Sequence, residues 1–329
     1  MRAIELQAPG GPEVLRLVDR PLPQPGPGQV RVRAQAIGVG KPDSLIRQGV
    51  YRWMPPLPAT PGNEMAGTID ALGPGVDPSL AGRPALVSSR ELTQRGGCYC
   101  EAICVPAQAV YLLPDTVSPV DAVTLPNYQL AGALLYEAGA LRPSTIFVQG
   151  AGGGVPTAIA QLAAADGIAC IGAASSAAKC AFARTAGLAD VIDRSREDVV
   201  VRVAEWSGGR GVDMVLDPAA GPAFSRQLDL LADFGTLMCY GVVAGLPTDN
   251  LLGELRRLMH RSLGVRCYSI HLLDRDPPAR RRLMERAIGL MAGGRLRPPP
   301  ATEMPLEQAE AAHRLLDAGQ VLGKIVLRP

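Results

Sequence analysis

The sequence predicts an α/β protein of two domains, one rich in β-strands and one built on a parallel, doubly wound sheet. Three observations carry this prediction. The chain has 329 residues, against the roughly 100–200 of a single domain. Its first third is a series of short β-type runs separated by Pro/Gly clusters. From about residue 119, strand-like and helix-like runs alternate, a pattern that gives parallel strands covered by crossover helices.

In the first third, Ala3–Leu6, Val14–Val18, Gln29–Val39, Ala66–Leu72 and Ala85–Val87 read as strands. The clusters between them, Pro21–Gly28 and Gly73-Pro74-Gly75 among them, supply turns. The segment from Gly96 to Val105 reads as a further strand entered through a glycine pair. In the alternating part, strand Thr145–Gln149 leads to a helix at 155–166, and Ile168–Ala173 leads to Ala177–Ala186. Asp190–Asp193 leads to Val199–Trp206, Val212–Leu216 to a helix at Ala223–Leu231, and Gly235–Gly241 is another buried-type strand. A basic helix (Arg280–Met291), an amphipathic one (Leu306–Leu316) and a closing strand (Gly323–Leu327) complete the chain. The expected domains are 1–119 with 268–329, and 120–267.

Composition narrows the function. Lys and Arg number 33 against 31 Asp and Glu, a net charge of +2, which gives no electrostatic ground for a nucleic-acid or anionic-membrane partner. Pro143–Ala165, the longest uncharged stretch, is interrupted by glycines, proline and polar residues, so no span is expected. The N-terminus has an early acid and no apolar core, and reads as lacking a signal peptide. Seven scattered cysteines, an odd number, argue against a disulfide framework and for a reducing cytoplasm. Cys170 and Cys239 lie in apolar strands and read as core thiols.

The strongest chemical signal follows the strand at 145–149. Gly150-Ala151-Gly152-Gly153-Gly154-Val155 is a glycine turn opening into a helix. Such a turn lets backbone approach a pyrophosphate, whose charge the helix N-terminus stabilises. A dinucleotide site is therefore expected at Ala151, Gly152, Gly153, Gly154 and Val155, with Pro156 in the place of the third motif glycine, where a first helical turn tolerates it. NAD binding calls for an acid about 20 residues on, at the ribose 2′-OH. The next strand ends instead in Ala174-Ser175-Ser176, with Lys179 and Arg194 nearby. Losing a carboxylate and gaining cations favours a 2′-phosphate, hence NADPH, with Ser175, Ser176, Lys179 and Arg194 as contacts; the other reading of the two cations is ordinary solvated charge.

With these features in hand, the chain resembles the medium-chain dehydrogenase/reductase superfamily, and within it the zinc-free quinone oxidoreductase (zeta-crystallin-like) branch. The resemblance spans nearly the full length, through Ile37–Asp43, Pro61–Gly67, Ala71–Val76, Gly97–Glu101, Leu125–Tyr128, Ala151–Val155, Ala174–Lys179 and Gly323–Val326. It implies a GroES-like partial β-barrel catalytic domain interrupted by a Rossmann domain, with the active site in the cleft between them. It also implies assembly as a homodimer or homotetramer. Where zinc-dependent relatives carry Cys and Gly-His-Glu, this chain has Gly40-Lys41 and Gly62-Asn63-Glu64. Neither Asn63 nor Lys41 is a good zinc ligand, and Cys98, Cys100 and Cys104 lack ligand spacing, so no metal is expected.

A metal-free enzyme needs an acceptor that is already electrophilic, a quinone or an α,β-unsaturated carbonyl, together with groups that orient it and stabilise oxyanion charge. The resemblance places Tyr51 at the substrate pocket, as hydrogen-bond donor or as packing, and Tyr128 beside the nicotinamide. Gly40 replaces an asparagine common in the branch; Lys41 beside it either compensates or is an exposed cation. Asp43 and Glu64 read as structural acceptors. Asn127, Gly241 and Lys324 match positions near the cofactor. Trp53 reads as loop packing or pocket wall. His260, His271 and His313 have no Ser–His–Asp context, and Arg280–Arg282 read as a solvated face or an anion contact. The expectation is thus an NADPH-dependent, zinc-independent oxidoreductase of a small-molecule acceptor. A nucleotide-binding protein of little activity is the alternative, and a metal-dependent alcohol dehydrogenase a weaker one.

Overall fold

A computed structural model describes residues 1–137 and 142–329. By packing, the chain forms two compact units: Met1–Pro126 with Met284–Gly294 and Pro300–Pro329, and Asn127–Leu283 with Arg295–Pro299. The strands run β1 (Arg2–Leu6), β2 (Leu15–Asp19), β3 (Gln29–Val39), β4 (Glu64–Leu72), β5 (Pro84–Ser88), β6 (Ala102–Pro106) and β7 (Val110–Leu112). Next come β8 (Thr145–Gln149), β9 (Ala169–Ala174), β10 (Asp190–Asp193), β11 (Val212–Asp217), β12 (Leu231–Cys239) and β13 (Gly264–Cys267). The last two are β14 (Thr302–Pro305) and β15 (Ile325–Arg328).

In the first unit a seven-stranded sheet runs β14-β15-β3-β4-β5-β7, with β6 also pairing β3, and β1 and β2 form a separate antiparallel pair. Alternate residues of a strand face opposite sides, so Val30, Val32 and Ala34 of β3 enter one core with Ile4, Met65, Ile69, Val87 and Tyr99. The helix Ala309–Asp317 covers that core through Ala309 and Ala312. The strand expected from Gly96 begins only at Ala102. Gly96 (φ +92) and Gly97 (φ +99) take left-handed conformations, which break a pleated strand.

The second unit carries a six-stranded, all-parallel sheet in the order β10-β9-β8-β11-β12-β13. The chain winds outward from β8 to β10 and then returns to β11, so the order reverses between β8 and β11. The helices Gly154–Ala165, Ala177–Thr185 and Val199–Trp206 make the first crossovers. The helix expected at Ala223–Leu231 is a 3₁₀ turn, Phe224–Leu230, because β12 starts at Leu231 and leaves room only for a short connection. Phe147, Ile171, Ile192, Val215, Leu228 and Leu237 form the core. The α/β, Rossmann-type reading of this part of the sequence is what the sheet order shows. Among the described residues no helix is long and apolar enough to cross a membrane.

Candidate functional site

The apolar run Ile146-Phe147-Val148 buries β8 at the centre of the sheet, and the chain must then reverse into a helix. Gly150 (φ +73) makes that reversal without a Cβ penalty. Gly153 N–H donates to Gly150 O at 2.9 Å, closing the turn, and Ala151 N–H donates to Ala173 O at 2.9 Å, tying it to β9. Gly153 is the N-cap of the helix Gly154–Ala165 and supplies no side-chain cap. The first-turn N–H groups are therefore left to a ligand, at the positive end of the helix dipole.

Ligands of open α/β sheets bind beyond the carboxyl ends of the strands, at the point where strand order reverses. Several features gather at that end. A Cβ on Gly152 would stand 3.2 Å from the Lys179 side chain, so this lysine lies across the glycine turn. Ser176 caps the helix carrying Lys179, accepting its N–H at 3.3 Å. Ser175 is exposed, and Arg194, also exposed, donates its N–H to Ala174 O at 3.0 Å just beyond β10. No acid stands at the end of β9. The nearest, Asp193 at the end of β10, is held below its ordinary pKa by the Ser195 hydroxyl and N–H.

Two buried polar atoms at the same end have no protein partner: Gln149 Oε1, closing β8, and the Tyr240 hydroxyl, just after β12. Burying a polar atom without a hydrogen bond costs about 1–3 kcal/mol, and such atoms call for a ligand or water. Sequence reading missed both, since only the sheet order brings residues 149 and 240 to one edge. Gly241 has no room for a side chain, because a Cβ there would sit 2.5 Å from Pro218 O. Asn127 is half-buried at the start of the unit. Tyr128, expected as a wall of the nicotinamide site, is 2% exposed. Its hydroxyl donates to Gln161 Oε1 at 2.8 Å, which makes it a strut for the helix Gly154–Ala165.

The first unit holds a second constellation, built from β4, β5 and the helix Lys41–Arg47. Asp43 is fully buried and accepts from Gly40 N–H at 2.8 Å and from the Asn63 amide. Ser89 donates to the Asn63 carbonyl. Glu64 is ion-paired with Lys324. Lys324, expected near the cofactor, is thus spent on Glu64 inside this cluster, because a buried ammonium needs a counter-ion. Burial, and then the Glu64 charge, push Asp43 up to about 7 against the pull of Gly40 N–H, Lys324 and Asn63. Arg90, which sequence reading also missed, donates to Pro126 O at 2.8 Å; burial lowers its pKa, opposed by the nearby Glu64 and Tyr51. The Tyr51 ring meets Trp53 at 5.6 Å. Lys41 is exposed on the first turn of its helix.

This donor set does not suit zinc. Gly40 has no side chain, the Asn63 amide is engaged by Asp43 and Ser89, and an ammonium sits on the Glu64 carboxylate. Among the described residues no group of three or more His, Cys, Asp or Glu is placed to hold a metal.

Comparison with known proteins gives a consistent picture. Residues 26–115 match the family model of the alcohol dehydrogenase GroES-like domain, and residues 186–327 that of zinc-binding dehydrogenase. The chain is 31% identical to a rat (Rattus norvegicus) synaptic vesicle membrane protein VAT-1 homolog, over 100% of this chain and 84% of that protein. It is 30% identical to a rat quinone oxidoreductase, over 99% of this chain and 97% of that one. The crystal structure of Escherichia coli quinone oxidoreductase complexed with NADPH superposes with a TM-score of 0.87 at 29% identity, covering all of both chains.

Proposed function

Since the chain belongs to the medium-chain dehydrogenase/reductase superfamily, in its quinone oxidoreductase branch, we propose that it is a zinc-independent, NADPH-dependent oxidoreductase of quinones or α,β-unsaturated carbonyls. The observation that carries the reading is the Lys179 side chain lying across Gly152 beside an uncapped helix N-terminus. In this reading the N–H groups of the turn through Val155 hold the pyrophosphate. Ser175, Ser176, Lys179 and Arg194 hold the 2′-phosphate, and Asn127, Gly241 and the unpartnered Gln149 and Tyr240 groups meet the rest of the dinucleotide. Bound NADPH supplies a hydride. Tyr51 and Lys41 are assigned to the acceptor, Tyr51 as donor of a hydrogen bond to its oxygen that stabilises the negative charge developing there.

Zinc independence is supported by the donor set, with Lys324 on Glu64 and the Asn63 amide engaged by Asp43 and Ser89. Without a Lewis acid, the acceptor itself has to delocalise charge, which is why a conjugated carbonyl is assigned. A homodimer is also proposed: Val242, Val243, Leu246 and Leu252 are all more than half exposed, apolar side chains that a monomer would leave in water. A cytoplasmic location fits seven free cysteines.

The test is NADPH oxidation by chelator-treated protein with a quinone and an enone series side by side. Turnover with either class, and none with saturated aldehydes or alcohols, supports the reading. Activity that vanishes with the chelated metal and returns with zinc defeats the metal-free half. Bound NADPH with no turnover on any acceptor defeats the enzymatic half.

A further inference from the structure

Two thiols stand at the carboxyl edge of the second sheet. Cys239 closes β12 and Cys267 closes β13, and the two are register partners in parallel neighbours. Register partners point to the same sheet face, and strands about 4.8 Å apart bring the two Cα atoms within the roughly 4.4–6.8 Å that a disulfide spans. Burial is the main cause of the raised Cys239 pKa, and the Cys267 thiol is close enough to contribute to it. Cys239 is buried and Cys267 exposed. The Cys239 thiol donates to Gly241 O at 3.2 Å, and a Cβ on Gly241 would stand 2.5 Å from Pro218 O, so that position admits no side chain.

We propose that Cys239 and Cys267 form a reversible intrachain disulfide when the protein meets a hydroperoxide, and that this disulfide weakens dinucleotide binding at the same sheet edge. The second clause rests on the reading of that edge as the NADPH site. Cys267, in contact with solvent, reacts first: its sulfur attacks the peroxide, the O–O bond breaks, the thiol proton passes to the departing oxygen, and an alcohol (or water) leaves as the sulfur becomes a sulfenic acid. The Cys239 sulfur then attacks the sulfenic sulfur, its proton departs with the hydroxyl as water, and the S–S bond forms. One peroxide is reduced by two electrons as two thiols are oxidised, and a dithiol reductant reverses the step. Burial keeps Cys239 protonated until then, so it serves as the resolving partner. Forming the bond removes the Cys239 hydrogen bond to Gly241 O, and that loss falls on the Tyr240–Gly241 turn.

The experiment treats the native, reduced protein with hydrogen peroxide, alkylates the remaining thiols, and measures intact mass and peptides without reduction. The expected result is a single chain carrying five alkyl groups and otherwise about 2 Da lighter than the reduced protein, with one peptide joining Cys239 to Cys267, reversed by dithiothreitol and absent in Cys267→Ser. No disulfide, a link through Cys98, Cys100, Cys104, Cys170 or Cys180, or a covalent dimer through Cys267 overturns the proposal. NADPH affinity is then measured on the reduced, oxidised and peroxide-treated Cys267→Ser proteins. Only the oxidised wild type should bind more weakly, by roughly fivefold or more. Equal affinity in oxidised and reduced protein overturns the coupling. Absence of NADPH binding to the reduced protein refutes the cofactor reading instead, and the mass result still decides the disulfide.

Discussion

Lys324, just before β15, holds the carboxylate of Glu64 at the start of β4, 260 positions earlier in the chain, with less than a tenth of either side chain exposed. The pair joins the closing segment of the chain to its first large sheet. Removing one member of a buried pair strands the other as an uncompensated charge, a larger loss than the pair's own net worth.

Lys324→Met is therefore expected to lower unfolding stability by about 3 kcal/mol, read as a lower urea midpoint with an unchanged m-value. Arg90 is the remaining cation near Glu64 and keeps the loss from being greater. Lys324→Met combined with Glu64→Gln should recover most of it. A double variant no more stable than the single one would show that the charge is not what Lys324 neutralises.

Stability near neutral pH reflects two opposing titrations. Asp43 stands near 7, above its ordinary 3.8, so between those values the folded state holds the extra proton and stability falls as pH rises. His313 is pushed down to about 4, by burial first and then by the Arg47 charge, against the opposing pull of Asp317. From about 4 to its ordinary 6.5 the unfolded chain holds the extra proton, so stability rises with pH there. In the overlap the two slopes offset. Asp43→Asn should expose a stability that climbs from pH 4.5 to 6.5, and His313→Gln one that declines over the same range. Chemical denaturation of both variants across this interval checks the signs; parallel curves for the two would sink the assignment.

For the cofactor, Lys179→Ala should weaken NADPH by roughly tenfold or more, the worth of a hydrogen bond to a charged group, with NADH little changed. Titration calorimetry with both nucleotides measures this. An equal loss for both would mean that Lys179 does not meet the 2′-phosphate.

Gly152→Val supplies the contrast. Its side chain would start 3.2 Å from Lys179 and fill the space above the turn that the pyrophosphate, common to both nucleotides, has to enter. NADPH and NADH should weaken together, by about tenfold or more, while the melting temperature moves little because Gly152 is not among the glycines with positive φ and the atoms nearest an added Cβ belong to the flexible Lys179 side chain. A variant that loses NADPH alone would contradict the placement of the pyrophosphate.

Much of the fold was legible in the sequence because its cues are local. Ile146–Val148 followed by a glycine turn announces a buried strand entering a helix. Expectation failed where a contact from elsewhere prevailed. Gly96 and Gly97 look like the entry to a strand until their left-handed torsions end it. The hydroxyl of Tyr128 gives no local sign of its partner, Gln161, 33 residues on.

By itself the sequence determined most of the order of strands and helices, the glycine turn after β8, and the absence of an acid where β9 ends, since each depends on residues adjacent in the chain. Tertiary structure alone decided the rest. It put Lys179 over Gly152, aligned Cys239 with Cys267, and gathered Asp43, Asn63, Glu64 and Lys324 into one buried cluster. The physical reason is that parallel register and sheet order are set by burying apolar faces together. Polar groups distant in sequence are carried into contact as a consequence, and once out of water they have only each other, or a ligand, to satisfy them.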